Sequence, residues 1–277
     1  MPELPEVETI RRGLEKSLVG HVIVDVEIRL AKQFVGEKKD IVGARVVGVN
    51  RHGKGLVIDL DNGYSLAIHV KMTGQLVVGS WEMVVGNNKY PNKWTHVIFK
   101  FKSPVKYFFL YYSDVRQFGW IKVVKSSELK VLGFFRDLGE EPLRDLTRER
   151  FFEIVGRSRM PIKLLSMDQR KIAGIGNIYA NDALFVAKIH PRRVSLDLTE
   201  MEKAALFDGV EEVLRRGIEA GGASEWNYVN AFGEKGGYQN FFQVYNREGE
   251  LCGKCGGRIE KIKMGGRGTF YCPRCQF

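Results

Sequence analysis

Pro2, Glu3 and Glu6 crowd the first six residues of a chain whose formal net charge is +10. Removal of Met1, the usual processing when proline follows, turns Pro2 into a free secondary amine. An α-amino group titrates near 7.7–8.0 and lysine near 10.4, so at neutral pH its nucleophilic fraction is roughly several hundred times larger. Such an amine can attack the anomeric carbon of a sugar and form an iminium, a variant of Schiff-base catalysis. Glu3 stands at hand as general acid or base, and Glu6 follows three residues along the same helix. By spacing alone Glu6 reads equally well as a favourable charge at a helix start.

A second chemical group closes the chain. Cys252 and Cys255 form one C-x-x-C pair and Cys272 and Cys275 another, with sixteen residues between them, the spacing of a four-thiolate zinc site. Four protein ligands leave no open position, so one structural Zn2+ is expected and no catalytic metal. From Cys252 to Cys275 the only acid is Glu260, against six basic side chains, Lys254, Arg258, Lys261, Lys263, Arg267 and Arg274. That is half of the whole net charge, and it fits a phosphate backbone. In "MGGRGTFYC" the glycines around Arg267 predict a tight turn that presents the guanidinium outward.

Elements must position these groups. The 277 residues, with 43 Lys and Arg against 33 Asp and Glu, allow two domains of ordinary size and favour a polyanionic partner. No apolar run reaches the roughly eighteen residues of a membrane span and no signal-peptide layout opens the chain, so a cytoplasmic location is expected. Leu4, Val7, Ile10 and Leu14 recur at helical steps, placing a short amphipathic helix from about Pro5. "VIVDVEIRL" alternates as a strand, "GLVIDLDNGYSLAIHV" reads as two strands about an Asp61-Asn62-Gly63 turn, and "THVIFKFKSPVKYFFLYYSD" as a pair broken at Ser103-Pro104. Residues 1–125 therefore predict a helix plus a β-sandwich or barrel, with 79–94 as a long polar loop. After a charged linker, 126–145, the period becomes helical. Thr199 and Glu202 form a capping box, Ala204, Phe207, Val210, Leu214 and Ile218 trace one helix face, and Gly221-Gly222 stops it. A helical domain over 146–240, with a Gly-rich loop at 223–237, and a ribbon module over 241–277 complete the expected α+β multi-domain chain.

"MPELPEVETIRRGL" and "GGRGTFYCPRCQ" resemble the two end signatures of formamidopyrimidine-DNA glycosylases. The similarity continues in order through "RHGKGL", "HVKMTGQL", "DVRQFG", "AGIGNIYANDALF" and "VYNREGELCGKC", nearly the whole chain. It implies a base-excision repair enzyme, a bifunctional DNA glycosylase and apurinic/apyrimidinic lyase excising oxidised purines such as 8-oxoguanine and formamidopyrimidines. By this resemblance Pro2 is the nucleophile, Glu3 the acid/base, Glu6 their support and Lys54 a phosphate contact assisting catalysis. His69 belongs to the DNA-contacting set. Met72 and Arg116 fill the gap left by an everted base, Phe118 kinks the duplex, and Asn177 with Arg267 grips the flanking phosphates. Read without the resemblance, Lys54 is as well an ordinary turn cation and Met72 and Phe118 plain core.

The resemblance also implies an N-terminal β-sandwich with a leading helix, a helix–two-turns–helix domain in which "LLSMDQRKIAGIGNIYANDALF" binds phosphate, and a C-terminal zinc-finger hairpin. The segment 223–237 would close over the everted base. Damaged double-stranded DNA is the expected partner of a monomer associated with the bacterial nucleoid. Three features depart from the family pattern: Lys71 stands where glycine or another small or uncharged residue is usual, Asn181-Asp182 where acidic pairs are common, and 79–94 matches no family segment. Two alternatives remain. One is an endonuclease VIII-type enzyme for oxidised pyrimidines, against which Leu4 in "PELPE" argues; the other is a zinc-ribbon DNA-binding protein without catalysis.

Overall fold

The computed structural model describes residues 1–225 and 227–277 and divides into two compact units. The first comprises Met1–Arg136 and Ala220–Gly237, the second Asp137–Glu219 and Tyr238–Phe277.

In the first unit helix α1 (Leu4–Leu18) opens with Pro5 in its first turn, where a missing N–H is harmless. Val7, Ile10, Leu14 and Leu18 enter one core with the inner faces of two sheets. A four-stranded antiparallel sheet runs β1 (Val22–Ile28), β9 (Thr95–Lys102), β10 (Tyr107–Asp114), β6 (Gly74–Gly79). The other runs β2 (Phe34–Val35), β11 (Trp120–Lys125), β5 (Tyr64–His69), β4 (Gly55–Leu60), β3 (Val46–His52), with only β2 parallel to its neighbour. Val26, Leu76, Phe99, Leu110 and Tyr112 meet Val49, Ile58, Leu66, Ile68 and Ile121 in that core, so the arrangement is a sandwich.

Three sequence expectations differ from the structure. Residues 79–94 are not a plain loop: β7 (Met83–Val85) and β8 (Asn88–Tyr90) pair as a hairpin. Its apolar residues are too few to show a period, but Tyr90 is fully buried. Residues 126–136 belong to the first unit, where helix α2 (Gly133–Arg136) packs Phe134 and Phe135 under Gly55. Residues 220–237, expected with the helical domain, also cluster with the first unit, because Tyr228 and Ala231 are buried in the sandwich core.

The second unit holds α3 (Arg148–Gly156), α4 (Ile162–Ser166), α5 (Asn177–Val186), α6 (Glu200–Glu219) and the hairpin of β12 (Glu260–Met264) and β13 (Arg267–Tyr271). The Thr199 capping box is present, with Thr199 N donating to Glu202 and Glu202 N to Thr199 Oγ1. Asn181 and Asp182, the unusual pair, are both buried in α5. Asn181 Oδ1 accepts from Phe270 N at 2.7 Å, and Asp182 Oδ1 from Val244 N and Tyr245 N at 3.1 and 3.2 Å. Burial pushes the Asp182 carboxyl up to about 6 despite these donors. The pair thus pins both the finger hairpin and the chain leading to it onto α5.

Candidate active site and nucleic-acid interface

Glu3 is the N-cap of α1, and Glu3 and Glu6 are only 3% and 1% exposed. Pro2 is buried beside them, while Met1 is largely exposed. Glu6 is more than a favourable charge at a helix end. One carboxylate oxygen accepts from Glu3 N at 2.8 Å and the other from Ala223 N at 2.7 Å, and Tyr228 Oη donates to Glu6 O at 3.3 Å. The carboxylate therefore fastens the start of the chain to the returning segment 220–237.

Lys54 sits in the turn between β3 and β4 and is 4% exposed. Arg51 braces that turn: Nη1 donates to Gly53 O at 2.9 Å and Nε to Glu8 Oε2 at 3.1 Å. Burial pushes the Glu8 carboxyl up, but Arg11, Arg12 and Arg51 outweigh it and hold the group below its ordinary range. Gly55 is required by close approach, since a Cβ there would come within 2.6 Å of the Phe134 ring.

His69, at the end of β5, packs edge-on against Phe134 with centroids 4.7 Å apart. Burial, then Lys71 and Lys54, lower its pKa to about 3, so the imidazole is neutral at physiological pH. Its Nδ1 accepts from Lys71 N at 2.9 Å. Lys71 itself has φ +51°, a left-handed backbone that a glycine would adopt freely and that carries some strain in a lysine. Met72 follows in the same turn and is partly exposed. Arg116 and Phe118 lie in the turn after β10, the guanidinium 4.6 Å from the Phe118 ring centroid and the ring 56% exposed. Neither Met72 nor Phe118 is core.

Thr73 and Asp114, which lie inside "HVKMTGQL" and "DVRQFG" but carry no role in the sequence reading, tie these turns together. Thr73 Oγ1 donates to Asp114 Oδ1 and accepts from Arg116 N at 2.9 Å, while Gly119 N donates to Asp114 Oδ2 at 2.8 Å. Asp114 is fully buried. A sequence reader sees only one more acid at a strand end.

In the second unit Asn177 begins α5 and is partly exposed, and exposed Arg267 begins β13 after the Gly265-Gly266 tip. Asn177 Nδ2 donates to Gly268 O at 3.0 Å, which joins the helix start to the hairpin. Beneath them lies Lys163, fully buried, whose Nζ donates to Asn177 Oδ1 at 2.8 Å and Thr269 Oγ1 at 2.6 Å. No sequence signal marks it, because one lysine between Ile162 and Leu164 reads as a solvated face.

The four cysteine sulfurs lie within 4.8 Å of one another, with Cys252 to Cys275 at 3.8 Å and Cys255 to Cys272 at 3.5 Å. Disulfides need about 2.05 Å. Thiolates around a tetrahedral zinc at about 2.3 Å stand about 3.8 Å apart, so the donors fit that ion.

Comparison with known proteins decides what this assembly is. Family models match in order: the formamidopyrimidine-DNA glycosylase N-terminal domain over residues 1–121, its H2TH domain over 138–227, and a zinc finger found in FPG and IleRS over 249–276. The chain belongs to the formamidopyrimidine-DNA glycosylase family. Formamidopyrimidine-DNA glycosylases of Pelotomaculum thermopropionicum and Rickettsia africae are 42% and 39% identical, covering 100% of this chain and 99% and 100% of theirs. Among solved structures, a Lactococcus lactis FPG mutant with Fapy-dG-containing DNA and the L. lactis enzyme with abasic-site DNA superpose with TM-scores of 0.89 and 0.88. Each is 35% identical, with 99% of both chains covered. The chain is thus a base-excision repair glycosylase of the glycosylase/AP lyase family, with a zinc finger holding one structural zinc. Among the described residues no helix is long and apolar enough to cross a membrane.

Proposed function

We propose that this enzyme excises oxidised purines from duplex DNA as a monomer at the bacterial nucleoid, with the amine of Pro2 as nucleophile. The observation that carries this reading is the buried cluster at the start of α1, in which Glu3 and the doubly hydrogen-bonded Glu6 adjoin Pro2. Loss of Met1 frees the nitrogen. Its lone pair bonds to the anomeric carbon, the base departs with the glycosidic electron pair, and the sugar ring opens as its oxygen takes a proton from Glu3. The iminium then acidifies the adjacent carbon, so successive β- and δ-eliminations expel the 3′ and 5′ phosphates.

Around this chemistry, buried Lys54 contacts the phosphate beside the lesion and assists catalysis, the neutral His69 belongs to the DNA-contacting wall, Met72 and Arg116 fill the gap left by the everted base, and Phe118 kinks the duplex. Asn177 and Arg267 take the phosphates, and zinc fixes the hairpin that carries Arg267. Borohydride reduction tests the reading: protein whose Met1 is gone should form a covalent adduct at Pro2 with 8-oxoguanine duplex. Adduct only with oxidised pyrimidines would move it to the endonuclease VIII type. No adduct with any oxidised-base duplex would leave a non-catalytic DNA binder.

A further inference from the structure

Residues 79–94 have no part in the chemistry above, yet they are built into the first unit. The β7–β8 hairpin contributes Met83 and Tyr90 to a second apolar cluster with Val77, Ile98, Phe109 and Tyr111 of the four-stranded sheet. Val229, from the returning segment 220–237, is buried in the same cluster. Tyr90 Oη donates to Gln75 Oε1 at 3.0 Å, and the amide of that Gln75 donates to Asn227 O. On the edge of β6, Val78 N donates to Ala231 O at 2.8 Å. Gly233, at φ +81°, lies so close to the hairpin that a Cβ there would come within 3.0 Å of Val85. The other foot of the segment is Ala223, held by Glu6. Ala223 and Asn227 are therefore each tethered, on either side of Trp226, which lies outside the described residues.

We propose that the 79–94 hairpin is a brace for this segment, and that Tyr90 is a positioning residue acting through Gln75 and Asn227. The inference rests on the reading that the 223–237 segment covers the everted base. A foot already ordered by the hairpin lowers the conformational entropy lost when the segment closes. The brace serves base release, because only then is a base present to cover. Strand cleavage at a preformed abasic site does not need it.

Two variants test the brace, Tyr90→Phe, which deletes one oxygen, and Val229→Ala, which hollows the cluster. Single-turnover release of 8-oxoguanine should slow about five- to tenfold in each, the loss of one buried contact, while cleavage of a preformed abasic duplex stays within about twofold. Without DNA, trypsin should cut faster at exposed Lys235. Equal losses in both reactions, or unchanged base release, would overturn the proposal. Should the wild type neither release base nor cleave, the functional reading fails, and the tryptic rates still judge the brace: an unchanged rate in Tyr90→Phe sinks it. If Val229→Ala does not fold, Tyr90→Phe alone decides.

Discussion

Replacing Lys163 by methionine tests how the enzyme holds Asn177, one of the two residues proposed to grip the phosphates. Methionine fills a similar volume but removes donors to Asn177 Oδ1 at 2.8 Å, Thr269 Oγ1 at 2.6 Å and Gly268 O at 3.3 Å. Hydrogen bonds to charged groups are each worth about 1.5–3 kcal/mol, but these three share the desolvation of a single ammonium. The net destabilisation should be about 3 kcal/mol, read from urea denaturation. Freed from Lys163, Asn177 samples other rotamers and its bond to Gly268 O weakens. Affinity for an abasic-analogue duplex should then fall about tenfold, or about 1.4 kcal/mol. The salt slope should change little, since Lys163 is fully buried and its ammonium is already held by protein acceptors. A double-mutant cycle with Asn177→Ala should give a coupling of at least about 1 kcal/mol. Additive penalties, or a Lys163→Met enzyme with unaltered stability and affinity, would refute the reasoning.

Arg267→Ala should flatten the dependence of log affinity on log salt by about one unit, and an unchanged slope would remove Arg267 from the interface. His69 should stay neutral from pH 8 to pH 5 by nitrogen NMR. Its pKa is lowered from 6.5 to about 3, so its stabilising contribution is complete above about pH 6.5 and is lost as pH falls toward 3, by up to about 1.4 kcal/mol per unit. Replacing His69 by Gln should remove that slope from acid denaturation curves; a slope that persists would assign it to another group. Chelating zinc should unfold the finger and weaken duplex binding at least about tenfold, with recovery on adding zinc back. Binding that survives complete removal would show that the hairpin stands without its metal.

Much of the candidate site was legible because it is local. Pro2 and Glu3 need only be neighbours, and a C-x-x-C pair supplies two ligands from one turn. The β-forming run "VIVDVEIRL" and the Asp61-Asn62-Gly63 turn likewise marked β1 and the β4–β5 hairpin without reference to anything distant, although a bulge between Ile23 and Asp25 breaks the alternation, burying Ile23 and leaving Ile28 exposed. Arg267 next to Gly265-Gly266 was predicted outward and is exposed.

Distance in sequence hid the rest. Glu6 gains its second partner from Ala223, 217 residues away, and Lys163 gains Thr269 across 106. Neither pairing leaves a periodic trace, because a side chain's burial and hydrogen bonds follow from which surfaces meet, and one strand or helix does not encode its neighbour. The same holds for 79–94, whose polar composition spoke for a loop until the sheet face beneath it supplied the apolar partners that bury Tyr90. Residue types and short spacings marked the proposed reactive groups and determined the metal ligands. Only the folded chain decided which polar groups lost their water, and thereby which could be tethered, neutralised or held for reaction.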